Sequence, residues 1–260
     1  MKNLKTGETA AIHADSIFPT ASMIKVSILI GIMDKIQKGE LDYHQPLLYR
    51  DSLLYAGEDL LGSFKDNEKI ELSKVVMLML TMSDNTASLW LQSLAGGGAT
   101  INAKLNELGL KYTRVNSRVP GRETERNIYG WGQTTPREMV DIFERIYKGK
   151  IINPAISARM LRLLGRDFWD EEAISQIPPR IFVAAKSGAV DASRSETLLV
   201  MAPHGPYLFS VITKQQTDTS WAPGNEGWVM ERKLSRLLWD YFEPALQWNA
   251  YINTDGKLND

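Results

Sequence analysis

The segment FPTASMIKVSILIGIM, Phe18 to Met33, is the most apolar run of the chain. It reads as a helix from Ser22 to Lys38, with Gly39 as its stop. A helix that is apolar on nearly every side has to be surrounded by protein, so the rest of the chain is constrained to pack around it. Its longest apolar stretch, Val26 to Met33, is interrupted by Ser27 and Gly31 and is too short to span a bilayer. Into this helix the chain places Ser22 and, three residues on, Lys25. Positions i and i+3 share a helix face, so the amine can approach the hydroxyl. A lysine among apolar neighbours has its charged form disfavoured and becomes a better proton acceptor. A serine beside such a base can act as a nucleophile. The other reading is a capping serine and a lysine whose stem lies along apolar surface.

Composition narrows the function classes. Lys plus Arg (30) nearly balances Asp plus Glu (31), for a formal net charge of -1. Neither a nucleic-acid nor a polybasic membrane partner is expected. The absence of cysteine removes disulfides, thiolate nucleophiles and Cys-based metal sites. His13, His44 and His204 are far apart and show no metal-ligand spacing, so no metal and no cofactor are expected. The N-terminal KNLKTGETAAIHADS is polar, without the apolar core of a signal peptide.

Along the chain, KTGETAAIHADSIF alternates like a strand around a Thr-Gly-Glu turn. ELSKVVMLMLTM, SDNTASLWLQSLAG and GGATINAKLNELGL read as helices. Arg118 to Gln133, RVPGRETERNIYGWGQ, has no hydrophobic period and reads as a long loop, a kind that is usually functional or disordered. TTPREMVDIFERIYKG opens a helix with Thr135 as N-cap and Pro136 at its first position. NPAISARMLRLLGRD is another. RIFVAAKSG is a strand, two apolar runs around His204-Gly205 form a hairpin, and GWVMERKLSRLLWDYFE is a closing helix. The early strand is expected to join the late hairpin in one mostly antiparallel sheet, in an α/β protein with a helical block beside the sheet.

Two further clusters carry chemistry. Ser83-Asp84-Asn85 lies between two predicted helices. There a hydroxyl could relay a proton and a carboxamide could hold a substrate amide, although all three residues are also ordinary helix caps. Lys186-Ser187-Gly188 ends a strand, where a cation, a hydroxyl and a bare backbone suit an anionic ligand. A strand followed by a turn explains its Ser and Gly but not its Lys.

S-x-x-K, S-D-N and K-S-G in this order are the motif set of class A β-lactamases and penicillin-binding proteins. The chain resembles that superfamily, class A β-lactamases most closely. FPTASMIKV is similar to the segment around the nucleophile, MLTMSDNTASLWLQSLAGG to the SDN helix, and TTPREM to the helix start that closes the Ω-loop. The 61 positions from Ser22 to Ser83 and the 103 from Ser83 to Lys186 fit as well. The likeness runs from about Leu4 to Phe242. It implies a β-lactamase/transpeptidase-like α/β fold, a mostly antiparallel sheet flanked by helices plus an all-helical subdomain. One catalytic domain over 1–260 is expected, its helical part at about 40–180 inserted between sheet-forming segments 1–39 and 181–260.

The resemblance also implies roles. Ser22 attacks an acyl carbonyl and Lys25 helps to activate it. Ser83 passes a proton to the leaving nitrogen, and Asn85 holds the substrate side chain. Lys186 and Ser187, with Gly188 beside them, bind the substrate carboxylate. The N–H groups of Ser22 and Ala189 form an oxyanion hole. Arg194 is either an added guanidinium near that carboxylate or a surface residue paired with Glu196. A serine hydrolase opening β-lactams through an acyl-enzyme is implied. A D-Ala-D-Ala peptidase, or a penicillin-binding amidase or esterase that deacylates slowly, is the neighbouring alternative. A non-catalytic binder of cell-wall fragments would have no use for Lys25, and no G-x-S-x-G elbow supports a Ser-His-Asp hydrolase. A monomer acting on a small β-lactam or a D-Ala-D-Ala-type peptide is expected, periplasmic or secreted as relatives are.

Two departures stand out. In class A enzymes the Ω-loop opens with Arg, carries a general-base Glu two residues later and an Asn four residues after that, and ends in Asp. Here Arg118 is the expected opening Arg, Pro120 stands at the Glu position, and Gln133 replaces the Asp. Glu123 with Asn127 repeats the Glu-x-x-x-Asn spacing three residues along, so Glu123 or Glu125 is either the deacylating base or a solvated loop charge. The family's N-terminal helix and first strand are also missing before Ser22. Either the chain begins partway into a longer protein, or the tail after Phe242, with Trp248, Tyr251 and Ile252, covers the sheet in their place.

Overall fold

The structure of the protein, a computed structural model, describes residues 1–57 and 59–259. The apolar segment enters its helix through a 3-10 turn, Ala21–Ile24, and continues as α1, Lys25–Gln37. Every residue of α1 from Lys25 to Asp34 is buried. Gly39, at φ +72°, ends it, a conformation that costs glycine little. The remaining helices are α2 (Leu72–Thr81), α3 (Asn85–Leu94), α4 (Gly97–Glu107), α5 (Glu123–Tyr129), α6 (Pro136–Tyr147), α7 (Pro154–Leu164) and α8 (Glu226–Phe242). α1 packs against α2, α3, α4 and α7, so the apolar run is the axis of the helical block.

Strands β1 (Lys2–Asn3) and β2 (Phe18–Pro19) precede α1. β3 (Pro46–Leu48) and β4 (Lys69–Glu71) form a small ladder. β5 (Arg114–Val115) and β6 (Gly132–Thr134) form another with β2. The main sheet adds β7 (Val183–Val190), β8 (Ser193–Val200) and β9 (Tyr207–Ile212) in the antiparallel order β1-β9-β8-β7. The early strand therefore joins the late hairpin, as its pattern suggested. It is only two residues long, with a bridge from Lys2 to Thr9, so most of KTGETAAIHADSIF is not strand.

The sheet separates two apolar clusters through its two-residue alternation. Ala184, Leu199 and Leu208 face the helical block, whereas Ala185, Leu198 and Phe209 face Leu238 and Trp239 of α8. The tail joins this second side. Leu246 and Trp248 pack against the α8 cluster, and the Trp248 indole donates to the Ser175 carbonyl at 3.3 Å. It does not cover the whole sheet surface: a groove of about 1110 Å³ along β9, α6 and α8 is lined by none of the described tail residues, and Tyr251 is exposed.

The segment expected to be a loop holds a helix, α5. None of its residues is buried, so no apolar period marks it. Two first-turn glutamates, Glu123 and Glu125, favour its N-terminus instead. Among the described residues no helix is long and apolar enough to cross a membrane.

Asp84 ties the block together. Fully buried, it caps α3 by accepting from Ala87 N at 2.7 Å, and its other oxygen accepts from Leu60 N at 2.7 Å and Leu61 N at 2.9 Å. Asp84→Ala removes the cap and orphans two further amides, so urea unfolding should show a loss of about 2–4 kcal/mol.

Candidate active site

Four of the residues singled out in the sequence meet at one amine. Lys25, fully buried, donates to Ser22 Oγ, Ser83 Oγ and Asn85 Oδ1, each at 3.0 Å, and to the Ser83 carbonyl. The helical i, i+3 spacing brings Ser22 to Lys25, and the turn between α2 and α3 brings Ser83 and Asn85. That turn is strained, since Ser83 lies at φ +58°, and so is the entry to the nucleophile, with Ala21 at φ +43°. Non-glycine residues in this region cost of order 1–3 kcal/mol and collect at functional sites.

The strand β7 supplies the opposite wall. A Cβ on Gly188 would stand 2.5 Å from the Thr20 carbonyl and 2.9 Å from Ser22 N, so only glycine lets β7 approach the nucleophile this closely. Ser22, Ser83, Ser187, Gly188 and Ala189 line one cavity of about 370 Å³. Lys186 is fully buried behind them, its Nζ donating to the Ser187 carbonyl at 3.0 Å.

Three other residues stand elsewhere. Glu123, at the start of α5, is exposed and accepts from Gly121 N at 3.1 Å. Glu125 lies 4.0 Å from Arg122, and neither glutamate lines the cavity. The base of this segment is pinned by Arg122 rather than by the exposed Arg118. Arg122 donates to Gln133 Oε1 at 2.9 Å and to Asn116 Oδ1 at 2.8 Å, a clasp between a guanidinium and two neutral amides in place of the family's Arg–Asp pair, whose Asp is absent here. Arg194 is not a surface residue. It is fully buried, stacked between Trp221 (4.6 Å) and Trp228 (4.4 Å), and donates to the Ser220 carbonyl at 2.7 Å. Glu196 does not pair with it and accepts instead from Ala173 N at 2.9 Å.

The cavity also has walls that motif reading missed: Trp169, Glu171 and Glu172 before β7, and Trp228, Glu231 and Arg232 on α8. The acidic, aromatic run FWDEE was the available signal for the first group. Burial pushes the Glu172 carboxyl up to about 7, against the pull of Arg232, with which it forms an ion pair. Burial also raises Glu196 well above its ordinary 4.5, and the nearby Asp167 and Glu172 raise it further while Ala173 N and Lys186 oppose. A carboxyl that holds its proton to higher pH in the folded than in the unfolded chain contributes fully below its ordinary pKa and costs stability as pH rises above it. Glu196→Gln has no proton to lose. Its melting temperature relative to wild type should therefore climb steadily from pH 5 to pH 8, the underlying slope being at most about 1.4 kcal/mol per pH unit.

A protein-family model described as the β-lactamase enzyme family matches residues 1–242. Among solved structures, PBP-A superposes with a TM-score of 0.81 at 25% identity, covering 94% of this chain and 88% of that chain. A Leu-to-Glu variant of PBP-A, in an acyl-enzyme complex with penicillin G, matches equally. The β-lactamase of Sphaerobacter thermophilus DSM 20745 superposes at 0.80 with 19% identity, covering 92% of this chain and 88% of that one. The TLA-1 extended-spectrum β-lactamase does so at 0.79 with 18% identity, covering 92% and 90%. The last two demonstrate a shared fold.

Proposed function

The chain belongs to the β-lactamase enzyme family, and on that premise we propose that it opens β-lactam rings through a covalent acyl-enzyme on Ser22. The observation that carries this reading is the Lys25 amine, 3.0 Å from both Ser22 Oγ and Ser83 Oγ. An amine in that position, neutral at the moment of attack, takes the Ser22 proton as Oγ bonds to the lactam carbonyl carbon. Ser83 then delivers its proton to the lactam nitrogen as the C–N bond breaks and takes in its place the proton that Lys25 received from Ser22, across their 3.0 Å contact. The N–H groups of Ser22 and Ala189 receive the developing oxyanion. Lys186 and Ser187 take the carboxylate, and Asn85 takes the acyl side chain.

The test uses a chromogenic cephalosporin and a labelled penicillin, followed by turnover and by intact-protein mass. One penicilloyl adduct on Ser22 is expected, and Ser22→Ala should lose it entirely. Lys25→Ala should slow acylation by a hundredfold or more, in the range of a lost general base. No adduct and no turnover in wild type would overturn the reading.

A second reading concerns release. Deacylation needs a base beside a water, and α5 carries Glu123 and Glu125 outside the cavity. This favours a penicillin-binding protein that frees its adduct slowly. Glu123→Gln should leave the release rate within twofold of wild type. A variant whose adduct outlasts the wild-type one by tenfold would instead make Glu123 the deacylating base.

A further inference from the structure

The residues after Phe242 lie outside the family match, which ends at residue 242, yet they return to the cavity that holds Ser22. After Trp248 the chain forms a small hairpin, with Ile252 bridged to Leu258. Asn253 closes its turn: its N–H donates to the Lys257 carbonyl at 2.8 Å, and its Oδ1 accepts from Asp255 N at 2.9 Å and Lys257 N at 3.1 Å. The hairpin is fastened at several points. The Gln176 amide donates to the Ile252 carbonyl at 2.9 Å. Arg232, buried and paired with Glu172, donates to the Thr254 carbonyl at 3.2 Å and also to the Pro223 carbonyl. Gly256 sits so tightly that a Cβ there would stand 2.2 Å from the Pro223 oxygen.

This docking sets Ile252, Gly256 and Leu258 into the cavity wall, near Trp169, Trp221 and Trp228. Leu258 is 77% exposed and Trp221 55% exposed, apolar surface left uncovered at the rim of a cavity. The cavity is lined by Ser83 and Ser187, assigned above to the leaving nitrogen and the carboxylate. It is not lined by Asn85, assigned to the acyl side chain. The hairpin thus borders the leaving-group half of the substrate.

We propose that the C-terminal hairpin, residues 252–258, is a specificity wall that selects substrates with a bulky apolar or aromatic substituent on the leaving-group side. The exposed Glu171 at the same rim disfavours an anionic substituent. The assignment of sides rests on the acyl-enzyme reading; the wall itself rests on the lining residues.

The test measures binding, so that it stands apart from the chemistry. Two cephalosporins with the same acyl side chain are compared, one with methyl and one with a neutral aryl-vinyl group at C3. Affinity is read by tryptophan quenching on Ser22→Ala protein. The aryl-vinyl compound should bind about fivefold tighter or more, in keeping with what a small apolar contact discriminates. Adding Leu258→Ser, at an exposed position that folding tolerates, should cut the preference below twofold without changing the methyl compound's affinity. Gly256→Val, which drives the hairpin off Pro223, should do the same. An unchanged preference in both variants, or no preference in the Ser22→Ala parent, would overturn the proposal. Failure of wild type to form an adduct would overturn the acyl-enzyme reading alone.

Discussion

A buried amine organises this protein. Lys25 is fully enclosed, yet it reaches oxygens of Ser22, Ser83 and Asn85 at once. A buried ammonium or amine without such partners would cost several kcal/mol. The turn between α2 and α3 therefore has to present its oxygens at one fixed place. That requirement accounts for the left-handed backbone at Ser83 and for the Asp84 carboxylate beneath it, whose three amide bonds hold the turn rigid. The apolar faces of α1 supply the opposing rigidity, since a helix packed on all sides cannot shift to relax the contact.

The second constraint is backbone proximity. Gly188 allows β7 to lie against the residues just before and at Ser22, and no side chain fits in that space. A serine at a helix start, two amides and a strand edge are thereby brought into one cavity, with the buried Lys25 and Lys186 behind them. Further charges gather toward α8: Glu172, Glu231 and Arg232 line the same cavity, and the buried Glu196 and Arg194 interact with them electrostatically. Arg232 links that layer to the C-terminal hairpin, so cavity shape and electrostatics are coupled through one guanidinium.

Much of this was legible in the chain. The helical block, the sheet formed by the late strands with the first one, and the cap at Thr135 follow from apolar period and terminus chemistry. The meeting of Ser22, Lys25, Ser83 and Asn85 was legible from motif order. α5 was not, because a seven-residue helix with no buried side chain leaves no period to read. Nor was the Arg122–Gln133 clasp, which replaces an ion pair by a hydrogen bond from a different arginine to a neutral amide. The position of Arg194 escaped because its partners, Trp221 and Trp228, lie 27 and 34 positions away, beyond the reach of local pattern.

The amino-acid sequence alone determined which chemical groups exist and which can be neighbours on one helix or strand, because 3.6- and 2-residue periods are properties of the local backbone. It determined a serine beside a lysine, and a lysine, serine and glycine in succession on one strand. Tertiary structure alone decided which walls enclose them. Glu123 was turned outward by a helix start, while Glu172, Arg232 and the hairpin at Leu258 were carried inward by packing across the sheet. Such contacts join residues distant in the chain, and their geometry is set by how whole elements fill space rather than by any local pattern.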